Sequence, residues 1–442
     1  MSKVPSTLSY DDLRALDARH VWHPFTQAGT APPAILALGA RGATIYAADG
    51  REYLDLVSSW WVNLHGHGNP AIAQAIADQA LRLEQVIFAD FTHEPAARLA
   101  ARVTRLLPGD LDRVFYSDNG STAVEVSLKL AHQYWRNRGQ HRGVYVAFEG
   151  GYHGDTAGAM SAGHSSGYFE QWREMLFPVE TVPFPATWDN DPEVEAKEQA
   201  ALDALDLIFA SNPDHVAAVI VEPLIQGAAG MRMCRPQFLQ ALEQRVREAG
   251  SLLIFDEVMT GFSRTGGLFA CVKAGVTPDL VCLSKGLTGG FLPLSMTVAR
   301  EAIFQEFLGQ DLSRAFLHGH SYTANPLGCA AGLASLDLLQ AAECQERVRT
   351  IEAIHRARLD KLAARPNVAR TRLCGTIAAM DVIGDGEGYE AGVGPRLKAA
   401  FLERGLLLRP LGNVLYMLPP YCIAEADLHR AWDIVGEVLE TL

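Results

Sequence analysis

Short apolar runs alternate with longer amphipathic segments along the chain from about residue 96 onward. Residues 113–116, 144–148 and 216–221 are rich in β-branched and aromatic side chains, which predicts strands. Between the first two, residues 121–135 carry apolar side chains at helical spacing. This alternation predicts an α/β fold with a parallel sheet and crossover helices.

The same alternation continues with a helical segment at residues 236–249 and two more apolar strands at residues 252–255 and 279–283. Each predicted strand ends at polar or glycine-containing residues. Ligands of open α/β sheets bind beyond the carboxyl ends of the strands, so residues at these ends can share one site. The candidates at or just after these ends are Gly120, Tyr152, Asp256 and Lys285.

The two ends of the chain follow a different pattern. Residues 1–60 are irregular apart from one predicted hairpin around Asp49 and Gly50, and residues 334–442 contain helices and a predicted closing strand pair near residues 406–417. We interpret both ends as one smaller α+β domain, and residues 61–333 as the large domain.

Composition narrows the classes of protein that this sequence can encode. The 442 residues are 48% hydrophobic, enough for two buried cores. With 51 acidic and 38 basic side chains the net charge is −13, and the basic residues are scattered, so we expect neither nucleic acid nor a membrane as partner. The seven cysteines lack regular spacing, and no apolar run has the length of a signal peptide or membrane span, so we expect a cytoplasmic protein.

Residues 185–199, rich in Asp, Glu and Pro, predict a solvated excursion.

The strongest chemical signal is a carboxylate and a lysine at neighbouring strand ends. Asp256 ends the run Leu-Leu-Ile-Phe-Asp, and Lys285 follows 29 positions later (285 − 256) after a second strand. This pair suits pyridoxal 5'-phosphate, because the carboxylate keeps the pyridine nitrogen protonated while the lysine forms an imine with the cofactor aldehyde and later moves a proton. Taken alone, Asp256 could simply cap a turn, and Lys285 could simply be a surface lysine.

Two further blocks add weaker signals for the same cofactor. Gly120 permits close backbone approach and Ser121 opens a helix with exposed N–H groups, so both are candidate phosphate ligands; an ordinary helix cap is the alternative. Tyr152 follows the next strand and could stack on the pyridine ring, or pack at a domain edge.

Bulky and charged residues elsewhere are candidates for substrate contacts. Trp60, beside Trp61, could wall an apolar channel or form a subunit contact. Arg409 is a single cation in an apolar stretch and could bind a carboxylate or a structural ion-pair partner. A metal site is not expected, because the histidines fall in different loops without ligand spacing and should make ordinary polar contacts. These histidines are His65, His67, His153, His318 and His320.

These blocks together resemble the class III, fold-type-I aminotransferases over nearly the whole chain. The resemblance implies a mainly parallel seven-stranded sheet with helices on both faces, a smaller domain built from both chain ends, pyridoxal 5'-phosphate, and a homodimer with shared active sites. The blocks that carry the resemblance are 22–26 (Trp-His-Pro-Phe-Thr), 58–61 (Ser-Ser-Trp-Trp), 124–126, 133–135, 152–156 (Tyr-His-Gly-Asp-Thr), 226–233, 260–262, 264–266 and 408–412.

The resemblance also implies a role for each matching residue. It places Gly120 and Ser121 on the cofactor phosphate, joined by His320 and Ser321 from the partner subunit. The remaining roles are Tyr152 near the ring and substrate, Asp256 on the pyridine nitrogen, Lys285 as the imine-forming lysine, and Trp60, Gly319 and Arg409 at the keto-acid substrate, with Arg409 on its carboxylate.

Several blocks are typical of one branch of the family, which transfers an amino group from S-adenosylmethionine to 8-amino-7-oxononanoate and so makes 7,8-diaminononanoate for biotin. Three alternatives stay open: a lysine-dependent version of that step, an ω-amino-acid:pyruvate or diamine aminotransferase, and a non-catalytic cofactor-binding protein. Two departures from the family pattern affect the site. Phe25 replaces a tyrosine whose hydroxyl reaches substrate, and residues 318–321 (His-Gly-His-Ser) replace a pattern usually written with Pro-Thr.

Overall fold

The computed structural model describes residues 8–384 and 392–441. The strands are β1 (Ala37–Arg41), β2 (Thr44–Ala47), β3 (Glu52–Asp55), β4 (Arg113–Ser117), β5 (Val144–Phe148), β6 (Glu180–Val182), β7 (Val216–Val221), β8 (Ile225–Gln226), β9 (Arg232–Met233), β10 (Leu252–Asp256), β11 (Leu280–Leu283), β12 (Ser295–Ala299), β13 (Val368–Cys374), β14 (Ile377–Val382), β15 (Leu406–Leu407) and β16 (Val414–Met417). The α-helices are α1 (Tyr10–His20), α2 (Ser58–Trp61), α3 (Pro70–Ala80), α4 (Glu94–Thr104), α5 (Gly120–Asn137), α6 (Ala157–Ala162), α7 (Val194–Ser211), α8 (Pro236–Glu248), α9 (Ala270–Ala274), α10 (Glu301–Gln305), α11 (Pro326–Gln340), α12 (Ala342–Leu362), α13 (Val393–Glu403) and α14 (Glu425–Glu440).

The large sheet has seven strands in the order β4-β12-β11-β10-β7-β5-β6, which confirms the predicted α/β fold. The strands from β11 to β6 run parallel, whereas β12 is antiparallel to both of its neighbours. The reason for the reversal is the short link between β11 and β12, because a parallel return needs a crossover connection of a dozen or more residues.

Helices cover both faces of this sheet. All six residues of β7 are buried, and their side chains alternate between two separate cores, with Val219 in one and Ile220 in the other. The second core includes Val124 of α5, and the first includes Leu239 of α8. A strand buried on both faces explains the continuous apolar runs of the sequence.

The two ends of the chain meet in a four-stranded sheet, β1-β2-β3-β15. The predicted hairpin around Asp49 and Gly50 is present as the antiparallel pair β2–β3. The predicted strand pair at residues 406–417 is wrong: β15 pairs with β3, and β16 pairs with β14. An isolated bridge links Leu411 to Val414 in the turn between them.

The predicted solvated excursion at residues 185–199 is also wrong in part. Thr187 forms a bridge with Met233, and α7 begins within the segment. The acidic residue Asp191 is largely buried and accepts a 2.8 Å bond from Lys197, whose ammonium lies 3.7 Å from the Trp188 ring centroid. The ion pair between Lys197 and Asp191 and the contact of Lys197 with the Trp188 ring therefore hold this polar segment against the protein.

Among the described residues, we find no helix with the length and apolar character required to cross a membrane.

Candidate active site

A cavity of about 640 Å³ opens at the carboxyl ends of the large-sheet strands. The four residues predicted to share a site all line it, together with Ser121. Gly120 is the first residue of α5, and Tyr152 lies in the loop after β5. Asp256 ends β10, and Lys285 lies in the turn after β11. This confirms that strand-end positions far apart in sequence converge on one cavity.

Lys285 enters this cavity from a strained turn. Its φ of 44° is in the left-handed region, which is uncommon for a residue with a side chain and is often retained at functional sites. The Nζ atom lies 4.7 Å from the centroid of the Trp61 ring. Burial lowers the pKa of Lys285, while the carboxylates of Asp256 and Glu222 act in the opposite direction. The amine is therefore closer to its neutral, nucleophilic form at physiological pH than a surface lysine would be.

Asp256 is fixed at the cavity floor by a buried histidine. His153 Nδ1 lies 2.7 Å from Asp256 Oδ2, and Asp256 Oδ1 accepts a 3.1 Å bond from the Val258 N–H. Burial alone would depress the pKa of His153, but its bond to Asp256 and the charges of Asp256 and Glu222 raise it overall. His153 thus donates to the carboxylate and fixes its orientation. The expected polar contact of His153 is confirmed, although its place in this site was missed.

Glu222 is a second site residue that the sequence analysis missed. It follows β7, is only 6% exposed, and accepts bonds from the N–H groups of Tyr152 (3.1 Å) and Gly227 (3.0 Å). The pKa of Glu222 is raised to about 7, chiefly by burial; the charge of His153 opposes this shift and that of Asp256 adds to it. Its signal in the sequence was available, because it ends a buried strand in the same way as Asp256.

The start of α5 presents two backbone donors to the cavity. Within the described part of the chain, the N–H groups of Gly120 and Ser121 have no acceptor, and the Asn119 side chain caps the N–H of Thr122 instead. A Cβ atom at Gly120 would approach Val258 to 2.6 Å, so a side chain there would displace the cavity wall. Free donors at a helix N-terminus suit a phosphate group.

A second cavity of about 410 Å³ adjoins the first, since Trp61, Tyr152 and Lys285 line both. The substrate candidates Phe25, Trp60 and Arg409 also line it, so the structure brings them together with Lys285. Its other lining residues are Pro24, Val62, Asp155, Tyr168, Ala228, Leu411 and Tyr416.

Arg409 lies over the face of Trp60, with its guanidinium carbon 4.5 Å from the ring centroid. Phe25 contacts Trp60 edge to face at a centroid distance of 5.6 Å. Within residues 8–384 and 392–441, Arg409 forms no ion pair, which favours the ligand-binding interpretation of this residue over the structural one. An unpaired guanidinium in an aromatic cavity is available for a ligand carboxylate.

Gly319, His320 and Ser321 lie outside both cavities of the single chain. His320 Nδ1 is 3.8 Å from Asp118 Oδ2 at the cavity rim, and the Ser321 carbonyl accepts a bond from Gln85. The ring nitrogens Nε2 of His318 and His320 are buried without a partner, so the expectation of ordinary polar contacts is wrong for these atoms. No cluster of metal-ligating side chains occurs within the described ranges.

Glu257, beside Asp256, is fully buried and accepts bonds from the N–H groups of Ala270 (2.6 Å) and Cys271 (2.7 Å). Burial raises its pKa from its ordinary value of 4.5 to about 7. The folded state therefore keeps a proton that the unfolded chain loses, and the stability from this group falls as the pH rises from about 4.5 to about 7. We expect the melting temperature of the wild type, relative to Glu257→Gln, to fall by a few degrees across that range. Parallel curves for the two proteins would contradict this assignment.

A family model for class III aminotransferases matches residues 26–439.

The chain belongs to the class III aminotransferases.

Among its relatives in this family, an adenosylmethionine-8-amino-7-oxononanoate aminotransferase of Synechococcus elongatus is 55% identical over 423 residues, which cover 96% of this chain and 99% of that protein. The enzyme of the same name from Mycobacterium leprae is 37% identical, with 99% of each chain covered. A crystal structure of that enzyme from Methanocaldococcus jannaschii is 31% identical, with a TM-score of 0.90 over 98% of this chain and 99% of that one. An (S)-enantioselective omega-transaminase from Thermomicrobium roseum is 30% identical, with a TM-score of 0.92 over 99% of both chains.

Class III aminotransferases use pyridoxal 5'-phosphate, and the first cavity of this member fits that cofactor. It combines an amine at Lys285, an oriented carboxylate at Asp256 and free helix N–H groups at Gly120 and Ser121. These are the groups that an aldehyde, a protonated pyridine nitrogen and a phosphate require.

Proposed function

We propose that this aminotransferase transfers an amino group from S-adenosylmethionine to 8-amino-7-oxononanoate, giving 7,8-diaminononanoate for biotin synthesis. The observation that carries the proposal is the second cavity, whose aromatic lining surrounds Lys285 and an Arg409 that forms no ion pair with any described residue. An apolar chain with a carboxylate at one end and a ketone near the other matches this combination. The names and full-length coverage of the relatives support the same assignment.

Bound pyridoxal 5'-phosphate supplies an electron sink for the carbon that gains or loses the amino group. In our proposal, Gly120 and Ser121 bind its phosphate through backbone N–H groups, and Asp256 pairs with its protonated ring nitrogen. Lys285 would hold the cofactor through its aldehyde group. Tyr152 would lie beside the ring; its hydroxyl donates a 3.0 Å bond to Asp155.

Lys285 is also the group that moves the proton in each half-reaction. Its amine would take a proton from the substrate carbon or return one. The low-dielectric setting that depresses its pKa makes this exchange easier near neutral pH. The ring of Trp61 lies against the amine and shields one side of it.

The acceptor ketone lies near Lys285 in this proposal, and its carboxylate is bound by Arg409. The ring of Trp60 packs against the guanidinium of Arg409, and Trp60 and Phe25 together form an apolar wall of the cavity. Phe25 lacks the hydroxyl expected at its position, so binding of the acceptor there depends on apolar contact.

The proposal is tested by the absorbance of the cofactor-loaded enzyme. S-adenosylmethionine alone should bleach the visible band, and 8-amino-7-oxononanoate should restore it. Bleaching by lysine instead would keep the product and change the donor. Bleaching only by simple ω-amino acids, with recovery by pyruvate, would establish the omega-transaminase alternative, which the 0.92 TM-score of the Thermomicrobium enzyme supports.

Replacing Arg409 with leucine should raise the KM for 8-amino-7-oxononanoate by roughly 10- to 100-fold, because a charge-assisted bond to the carboxylate contributes about 1.5–3 kcal/mol. The value of kcat should change little, since the interaction is present in both ground and transition states. Arg404→Leu, on the exposed end of α13, is the control. An equal loss with an acceptor that lacks the carboxylate would contradict the assignment.

We further propose a cytoplasmic homodimer in which Gly319, His320 and Ser321 of one subunit complete the phosphate site of the other. In support, these residues lie outside the cavities of their own chain, and Leu317 beside them is 74% exposed. All seven cysteines are unpaired, as a reducing compartment requires.

A further inference from the structure

The segment α2, Ser58–Trp61, carries both tryptophans and is a turn with non-helical backbone angles at Ser59 and Trp60. Ser58, Ser59 and Trp61 have φ values of 48°, 61° and 66°, in the left-handed region that residues with a side chain rarely adopt. Three such residues within four positions do not hold this conformation by local preference. Contacts from outside the turn must maintain it.

Asp55 provides most of those contacts. Its side chain is fully buried, and four donors converge on its two oxygens. Oδ1 accepts from the N–H groups of Val57 (3.3 Å) and Ser59 (2.9 Å). Oδ2 accepts from Ser59 Oγ (3.0 Å) and from His67 Nε2 (2.9 Å). A buried carboxylate with four donors is a rigid anchor, because each donor loses its partner if the turn relaxes.

Asp55 also belongs to the pair of strands, β3 and β15, that leads to Arg409. Asp55 is the last residue of β3 and lies opposite Leu407 in β15. The Leu56 N–H also bonds to the Leu407 carbonyl at 3.3 Å. Arg409 follows two residues later, and the turn after β3 leads to Trp60. The pairing of β3 with β15 therefore brings this indole and this guanidinium to their 4.5 Å contact.

We propose that Asp55 is a positioning residue for the acceptor substrate. By fixing the turn after β3, it holds Trp60 against Arg409. Asp55 lines neither cavity, so it acts only through these side chains. The inference rests on the proposed function for the identity of the acceptor, but its geometry requires only a carboxylate ligand at Arg409.

The test compares Asp55→Ala, Asp55→Asn and the wild type as cofactor-loaded enzymes. We expect Asp55→Ala to raise the KM for 8-amino-7-oxononanoate by about tenfold or more, with kcat within about threefold of wild type. Asp55→Asn should recover most of this loss, because its oxygen can accept both backbone bonds and its amide can donate to Ser59 Oγ. Asp49→Asn is the matched control, since Asp49 is in the preceding hairpin and bonds only to Arg51; it should match wild type.

Binding of nonanoate, a nine-carbon carboxylate without ketone or amine, is measured in parallel by calorimetry. Its Kd should rise about tenfold in Asp55→Ala. Unchanged nonanoate affinity, no measurable binding to wild type, or an equal loss of kcat with every acceptor would overturn the inference. If wild type binds nonanoate in an Asp55-dependent manner but does not aminate the keto acid, the positioning role stands and the proposed function falls.

Discussion

Replacing Lys285 with alanine should reduce amino transfer by about 10⁴-fold, the largest effect expected from any single change in this protein. The substitution removes both the covalent bond to the cofactor and the amine that moves the proton. No other lysine lines either cavity within the described residues. Among the described residues, neither cavity therefore offers a second primary amine to replace it.

The measurement is the single-turnover rate with each substrate, together with borohydride treatment and peptide mapping. Borohydride should attach the cofactor to the peptide that contains Lys285 in the wild type, and leave the variant unlabelled. Lys361→Ala, on the exposed face of α12, should behave as wild type. Added methylamine should restore part of the rate, because a small free amine can take over the proton transfer. Full activity in Lys285→Ala would exclude the assigned role.

Asp256→Asn should lower the rate by roughly 10³-fold, since the amide has no charge to keep the pyridine nitrogen protonated. The two side chains have nearly the same shape, so the variant should fold and retain the bond to the Val258 N–H. His153→Gln should cause a smaller loss, because a flexible amide replaces the fixed imidazole Nδ1 that orients the carboxylate, while the charge of Asp256 stays in place.

Rates and the visible spectrum of the bound cofactor are compared for Asp256→Asn, His153→Gln and the exposed control Asp78→Asn. A rate for Asp256→Asn close to that of the control would contradict the role of the carboxylate. A loss for His153→Gln as large as that for Asp256→Asn would mean that orientation, and not charge, dominates.

The large sheet and the position of its cavity could be predicted from the sequence because buried parallel strands have a strong local signature. Predicted boundaries such as residues 236–249 differ by only one residue from the helix Pro236–Glu248. The reversed direction of β12 could not be predicted in this way, because Ser295–Ala299 has the same apolar pattern in either direction. The prediction that the large sheet has seven strands rested on the family resemblance and not on the periodicity of hydrophobic residues.

The predicted site residues were those whose type and strand-end position suffice to suggest a role. His153 and Glu222 were missed because their importance depends on partners that folding alone brings close. His153 meets Asp256 across 103 positions of sequence. The predicted partner of β15 was wrong for a similar reason. A two-residue strand contains no information about which distant strand edge it will join.

The pairing of Leu406 with Leu54 has a consequence for synthesis on the ribosome. At about 5–20 residues per second, roughly 20–70 s separate the appearance of these two strands. During that time the outer edge of β3 is unpaired and able to join other nascent chains. The strands and helices of the large sheet are translated before then, so the residues that line the first cavity leave the ribosome earlier than Arg409. Premature termination after α11 would therefore leave a chain that lacks Arg409, the outer partner of β3 and the Pro419 carbonyl to which the buried Arg264 bonds.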